Sequence, residues 1–243
     1  MAGQCDDRSM EPYYESRSAE YDDWYLGAGL FAVRDRPGWD DEVRELERLI
    51  SSLSPRATLD VACGTGFITR HLPGRVVAVD ASAAMLAESR TRHAHPLVRA
   101  DAFSLPFRDD SFDRVFTGHF YGHLYPDQRA RFLTETRRIA PELFVLDAAL
   151  HDAVEPEQIQ ERILNDGSSH RVFKRYFTAR QLAEELGGGR VLLDGRWFVL
   201  VSVRADRSQP AIAVTNVGIT TSPVAPDFSA RSASVTRSWS ATS

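Results

Sequence analysis

The sequence predicts an α/β domain built on a doubly wound, mostly parallel sheet. Three observations carry this. Short apolar runs alternate with helical patterns from Thr58 to Asp147. A glycine-bearing turn, Cys63-Gly64-Thr65-Gly66, follows the first apolar run. An acid, Asp80, closes the next run, Val76-Val77-Ala78-Val79.

The elements follow in order. Residues 1–12 read as a flexible N-terminus. Tyr13 to Tyr25 is rich in aromatics and acids, and its apolar positions define a helix only poorly. Gly27, Gly29, Pro37 and Gly38 make the next segment irregular. Trp39 to Leu53 reads as an amphipathic helix, with Val43, Leu46, Leu49, Ile50 and Leu53 on one stripe and Pro55 as its stop. Strands are expected at Thr58–Ala62, Val76–Val79, Leu97–Arg99, Arg114–Thr117 and Leu143–Asp147. Helices are expected at Phe67–His71, Ala83–Thr91 and Asp127–Ile139. Right-handed crossovers would place helices on both faces of the sheet.

After Asp147 the pattern changes. Ile159–Leu164 and Arg171–Phe177 flank Asn165-Asp166-Gly167, a hairpin signal. Thr178 reads as the N-cap of a helix Ala179–Leu186 that three glycines end. Arg190–Leu193 and Trp197–Arg204 flank Asp194-Gly195, a second hairpin. The expected domain runs over 13–204, with a lid or helical region at 13–54 and a hairpin insertion at 157–177. Residues 205–243, rich in Ser, Thr, Ala and Pro, read as a disordered or loosely attached tail, with a short strand at Ala211–Val214 as an option.

The turn points to a nucleoside. Gly64 and Gly66 remove side chains where the backbone turns and a ligand approaches. Asp80, at a strand tip, is placed to accept both hydroxyls of a ribose. A dinucleotide signal would put a third glycine where Thr69 stands. Asp60, at the end of the first strand, would repel a diphosphate and suits an ammonium or sulfonium charge.

These residues resemble a family. Leu59–Gly66 is similar to the first motif of the class I S-adenosylmethionine-dependent methyltransferases, small-molecule type. Val77–Leu86 resembles the second, Ala100–Phe107 the third and Phe112–Thr117 the fourth strand with its Phe-Asp start. The resemblance covers roughly Tyr13 to Arg204. It departs at Ala62, where the family often has glycine. It implies a Rossmann-like seven-stranded sheet closed by a C-terminal antiparallel hairpin. The implied cofactor is S-adenosylmethionine, with S-adenosylhomocysteine as product.

The resemblance also assigns roles. Asp60, Ala62, Gly64, Thr65 and Gly66 would contact the methionine part, and Asp80 the ribose. Ala81 and Met85 would flank the adenine, although Met85 fits a helix core equally well. Asp101 would accept from the adenine amino group, with Ala102 N–H donating to the ring and Phe103 packing nearby. Thr117 and Gly118 would line the sulfonium side. Tyr13 and Tyr21 belong to a lid over the cofactor, and Arg17 would neutralise the cofactor carboxylate. These aromatics also fit plain packing of the segment on the sheet.

Acceptor chemistry falls to Gly118–Tyr125, just past a strand's carboxyl end. His119 or His123 would serve as general base, since an ordinary imidazole titrates at about 6.5. Tyr14, Tyr21, Phe120, Tyr121 and Tyr176 would bind the acceptor. Its atom is expected to be oxygen or carbon of an aromatic or hydrophobic metabolite. Alternatives are N-methylation, a nicotinamide-dependent oxidoreductase or a non-catalytic nucleoside binder.

Composition narrows the partners. A net charge of −5 gives no reason to expect nucleic acid. No long apolar run or signal peptide is present, so a cytoplasmic protein with no membrane partner is expected. Cys5 and Cys63 make no disulfide framework, and no metal site is suggested by spacing. A small-molecule acceptor and a monomer or homodimer complete the expectation.

Overall fold

The computed structural model describes residues 11–32 and 35–204, without the side chains of Glu11 and Leu30. The expected tail and the optional strand Ala211–Val214 lie outside the described residues, as do residues 1–10. The strands are β1 (Arg56–Val61), β2 (Gly74–Asp80), β3 (Leu97–Arg99), β4 (Arg114–Gly118), β5 (Glu142–Ala148), β6 (Glu157–Ile163), β7 (Ser169–Arg175), β8 (Arg190–Asp194) and β9 (Phe198–Arg204). The helices are α1 (Glu11–Arg17), α2 (Asp23–Leu26), α3 (Trp39–Ser51), α4 (Ala83–Arg92), α5 (Pro126–Ile139) and α6 (Ala179–Glu185).

Seven strands form one sheet in the order β3-β2-β1-β4-β5-β9-β8. The first five are parallel, and β9 runs antiparallel to both β5 and β8. The expected seven-stranded, mostly parallel sheet with a closing antiparallel hairpin is therefore what forms. The chain leaves β1 towards β2 on one side and later returns to β4 on the other. This reversal opens a crevice at the carboxyl ends of β1 and β4, where ligands bind in such sheets.

Alternation along the strands builds two cores. Val115, Val145, Val199 and Val201 face one side, where Phe132 and Ile139 of α5 and Leu182 of α6 pack. Phe116, Phe144, Leu146 and Leu200 face the other, against Val43, Leu46 and Ile50 of α3. Glu42 fixes α3 to the closing hairpin. Its carboxylate accepts from the backbone N–H groups of Arg196, Trp197 and Phe198 at 3.1, 2.8 and 2.7 Å.

One expectation needs correction. The helix expected at Phe67–His71 is only a 3-10 turn, Thr69–His71. Arg70 N donates to Gly66 O, but His71 and Leu72 N donate only three residues back, and Pro73 then ends the turn. The N-terminal segment, whose apolar positions define a helix only poorly, forms α1, a 3-10 turn Ser18–Glu20 and α2. The β6–β7 hairpin stands apart as its own two-stranded sheet.

Candidate functional site

The glycine turn is held from three directions. Cys63 N donates to Val79 O at 2.9 Å, tying the turn to β2. Gly64 N donates to Asp80 Oδ2 at 2.8 Å, and Ser82 N donates to Asp80 Oδ1 at 2.9 Å. Thr117 Oγ1 donates to Val61 O at 2.8 Å, bridging the ends of β4 and β1. Ala62, Gly64 and Gly66 all adopt positive φ, at 59°, 56° and 76°. Gly66 is required twice over, since a Cβ there would lie 2.6 Å from Ser89 Oγ and 2.7 Å from His93 Nε2.

Two carboxylates border this turn. Asp60 is 2% exposed and accepts from Thr69 Oγ1 at 2.6 Å. Burial, reinforced by the charge of Asp80, pushes its pKa up to about 7. Burial also raises Asp80. An acid made reluctant to ionise by burial and by a like charge gains from a cationic ligand, so this donor set fits a sulfonium and ammonium rather than a diphosphate. Burial pushes the Cys63 thiol well up, which leaves it a packing group rather than a nucleophile.

The N-terminal segment clasps the turn. Thr65 Oγ1 donates to Asp22 Oδ1 at 2.5 Å, and Asp22 also pairs with Arg92 of α4. Arg92 in turn donates to Thr65 O at 2.9 Å. The carboxylate of Glu15 accepts from Ala83 N and Ala84 N at 2.6 and 3.1 Å, capping α4 from outside it. These hydrogen bonds lower the Glu15 pKa against the opposing effect of burial.

Two cavities meet at Tyr21. A small one, about 20 Å³, lies against the turn and includes Asp60, Ala62, Thr65 and Gly118. A large one, about 1060 Å³, lies under α1, α2 and the β6–β7 hairpin. Tyr21 lines both. Burial pushes its hydroxyl up to about 12, so it stays a protonated donor.

Of the sequence-derived candidates, Tyr13, Tyr14, Tyr21, His119, His123 and Tyr176 line the large cavity. Phe120 and Tyr121 do not. Phe120 packs on the α5 core near Phe103 and Phe132. Tyr121 is fully buried, and its hydroxyl donates to Glu185 Oε1 at 2.9 Å. The 3-10 turn at Tyr121–His123 alternates which side each residue faces, so neighbours in sequence part company. Ala81 and Asp101 sit exposed, Ala102 and Met85 are buried, and Asp101 Oδ1 accepts from Phe103 N at 2.9 Å.

The two histidines differ in state. His119 has a positive φ of 55°, is 6% exposed, and packs edge-on to Trp24 and Phe198. Its Nε2 is buried without a hydrogen-bond partner among the described residues, and burial pushes its pKa down to about 3. His123 Nδ1 lies 2.7 Å from Phe173 O. A carbonyl only accepts, so Nδ1 carries the proton and Nε2 keeps its lone pair. Burial, with Lys174 and Arg162 adding to it, holds His123 well below its ordinary value.

Residues that the sequence did not single out complete the cavity. Lys174 Nζ donates to Asp147 Oδ1 at 2.5 Å, and Asp147 Oδ2 accepts from Gly122 N at 2.7 Å. Lys174 shares a face with Val172 two residues earlier, and that alternation on an amphipathic hairpin was the available signal. Trp24, Trp39 and Arg162 also line the wall. Among the described residues, no group of three or more His, Cys, Asp or Glu is placed to hold a metal. No described helix is long and apolar enough to cross a membrane.

Known proteins resemble this chain. A family profile described as a methyltransferase domain matches residues 59–142. The solved "DhpI-SAM-HEP complex" has a TM-score of 0.65 at 29% identity, over 80% of this chain and 95% of that one. The malonyl-[acyl-carrier protein] O-methyltransferase of Halorhodospira halophila is 29% identical over 82% of this chain and 68% of its own length. That of Legionella pneumophila is 39% identical over 83 residues, and there the chain spans only 29% of the relative's length.

Proposed function

We propose that the chain is a class I S-adenosylmethionine-dependent methyltransferase, as its methyltransferase-domain match and structural neighbours support, and that it methylates oxygen or carbon of a small molecule seated in the large cavity. The observation that carries this is Tyr21, which lines both the small cavity at the glycine turn and the large one beside it. A donor held by the turn and an acceptor held in the large cavity would meet there. S-adenosylmethionine supplies the methyl group as an electrophile on a sulfonium and departs as S-adenosylhomocysteine.

The chain's own part is binding, alignment and exclusion of water. Asp80 holds the ribose hydroxyls, and Asp60 faces the positive end of the donor. Held by Asp60, Gly64 and Asp80, the donor would supply the methyl group, the bond to the acceptor atom replacing the carbon–sulfur bond whose electron pair would stay on sulfur. The acceptor proton passes to a base. His123 Nε2 is our choice, since its Nδ1 is committed to Phe173 O and its lone pair is free. His119 Nε2, buried without a partner among the described residues, would hydrogen-bond a second polar group of the acceptor. Tyr14, Trp24 and Tyr176 give the wall an aromatic character that suits a flat or apolar body. The O-methyltransferase name of the Halorhodospira relative supports oxygen as the accepting atom.

The test is mass spectrometry of reactions containing a labelled methyl donor and a cell metabolite extract. A labelled small-molecule product is expected. Binding of S-adenosylhomocysteine with no turnover across a broad acceptor panel would instead favour a non-catalytic nucleoside binder.

A further inference from the structure

Two arginines converge on one phenol inside the large cavity. Arg17, at the end of α1, donates through Nη1 to the Tyr13 hydroxyl. Arg162, on β6, donates through its own Nη1 to the same oxygen at 2.9 Å. Arg17 is 6% exposed and Tyr13 is 3% exposed. The remaining Arg162 nitrogens reach only Gln160 Oε1, at 3.2 and 2.9 Å. Nη1 is the one Arg17 nitrogen with a hydrogen-bond partner among the described residues.

Neither arginine has a carboxylate within 4.0 Å among the described residues. The acids lining the cavity are Glu20, Asp23, Asp35 and Glu161, none of them in an ion pair with either guanidinium among the described residues. Asp147 is paired with Lys174. Glu20 accepts from Asn165 N, and Glu161 accepts from Ser169 Oγ. The lysine charge is thus balanced and the two guanidinium charges are not. Uncompensated charges of one sign, withdrawn from water and side by side, are strongly unfavourable until an opposite charge joins them. Guanidinium forks match the two oxygens of a carboxylate or phosphate.

We propose that Arg17, Arg162 and Tyr13 form a binding site for an oxyanion, a carboxylate or phosphate, carried by the methyl acceptor. This rests on the methyltransferase reading and narrows its substrate class to acidic small molecules. Both arginines line the large cavity and neither lines the small one at the glycine turn, so we place the site on the acceptor side. The aromatic walls then take the body of the acceptor, and the arginines anchor its charged end.

The experiment is calorimetric titration of phenyl phosphate, benzoate and benzyl alcohol into the protein, with and without saturating S-adenosylhomocysteine. Phenyl phosphate or benzoate should bind at least tenfold tighter than the neutral alcohol. Arg162→Gln should weaken that anion at least tenfold while S-adenosylhomocysteine affinity stays within twofold. Arg162→Lys should recover part of the loss, and thermal melts of both variants establish that they fold. Equal affinity for anion and alcohol overturns the proposal. So does an Arg162→Gln variant that loses S-adenosylhomocysteine affinity and keeps the anion. Failure of the wild type to bind S-adenosylhomocysteine counts against the methyltransferase reading, while the titrations without it still decide the anion site.

Discussion

Thr65 of the glycine turn donates its hydroxyl to Asp22 at 2.5 Å, across 43 residues of sequence. The N-terminal segment therefore belongs to the cofactor loop as well as to the cavity roof. Asp22→Ala leaves a buried hydroxyl unsatisfied and removes the shorter of the two Arg92 ion pairs, leaving the one to Glu88. Arg92 keeps 23% side-chain exposure, so water recovers part of the loss. We expect a destabilisation of about 2 kcal/mol and a melting temperature lower by roughly 4–8 °C. S-adenosylhomocysteine affinity should fall several-fold. Scanning fluorimetry and calorimetry measure the two effects, and a variant with both unchanged would remove the clasp from the account.

The donor half of this site was far more legible in the sequence than the acceptor half. Asp60, Gly64, Gly66 and Asp80 sit within a few residues of strand ends, so local pattern alone places them together. Tyr21 and Tyr176 were readable only as aromatics in the right region. Arg162 and Lys174 lie on a hairpin whose docking depends on long-range packing, and the alternation of Lys174 with Val172 is the one local mark of a buried cation. Tyr121 illustrates the opposite error. It adjoins the cavity-lining residues in sequence, yet a single 3-10 turn directs it into the α5 core. The short turn at Thr69–His71 was misread because helix propensity ignores how soon Pro73 arrives.

Asp80 engages both Gly64 N and Ser82 N, so its carboxylate shapes the turn as well as awaiting a ribose. Asp80→Ala should weaken S-adenosylhomocysteine binding by at least a few-fold. Unchanged calorimetric affinity would sink the ribose assignment.

Asp60 makes a pH prediction. Its folded pKa of about 7 lies above the ordinary 3.8, so the folded apo protein holds an extra proton between those values. That contribution to apo stability is present in the acid range and is lost as pH rises towards about 7. Cofactor binding has the opposite sign, because the positive donor favours the ionised acid. Affinity for S-adenosylmethionine should fall by up to about tenfold per pH unit below 7. Asp60→Asn should flatten that dependence between pH 6 and 7. A wild-type affinity that is constant over this range contradicts the assignment.

The histidines predict the shape of the rate profile. Burial holds His119 at about 3 and His123 well below its ordinary value, so both stay neutral from pH 6 to 8. Turnover should therefore show no ascending limb from imidazole ionisation near 6.5. His123→Ala should still lower kcat, by about a hundredfold or more if it takes the acceptor proton. A limb near 6.5 that vanishes in His123→Ala would mean that the imidazole is more solvated than its 7% exposure indicates.

Glu42 tests the scaffold separately from the chemistry. Its carboxylate accepts three consecutive N–H groups at the β8–β9 turn, where no strand partner is available to them. Glu42→Ala removes all three acceptors at once. The group is half-buried, so part of the loss is recovered by water, and a destabilisation of about 2–3 kcal/mol is expected. Glu42→Gln keeps one carbonyl oxygen and should cost less. Neither change touches the glycine turn, so S-adenosylhomocysteine affinity should stay within twofold while urea denaturation midpoints drop in the order wild type, Glu42→Gln, Glu42→Ala. An equal midpoint for all three would place the stability of the closing hairpin in its packing, through Phe198 and Leu200 against α3, rather than in this carboxylate.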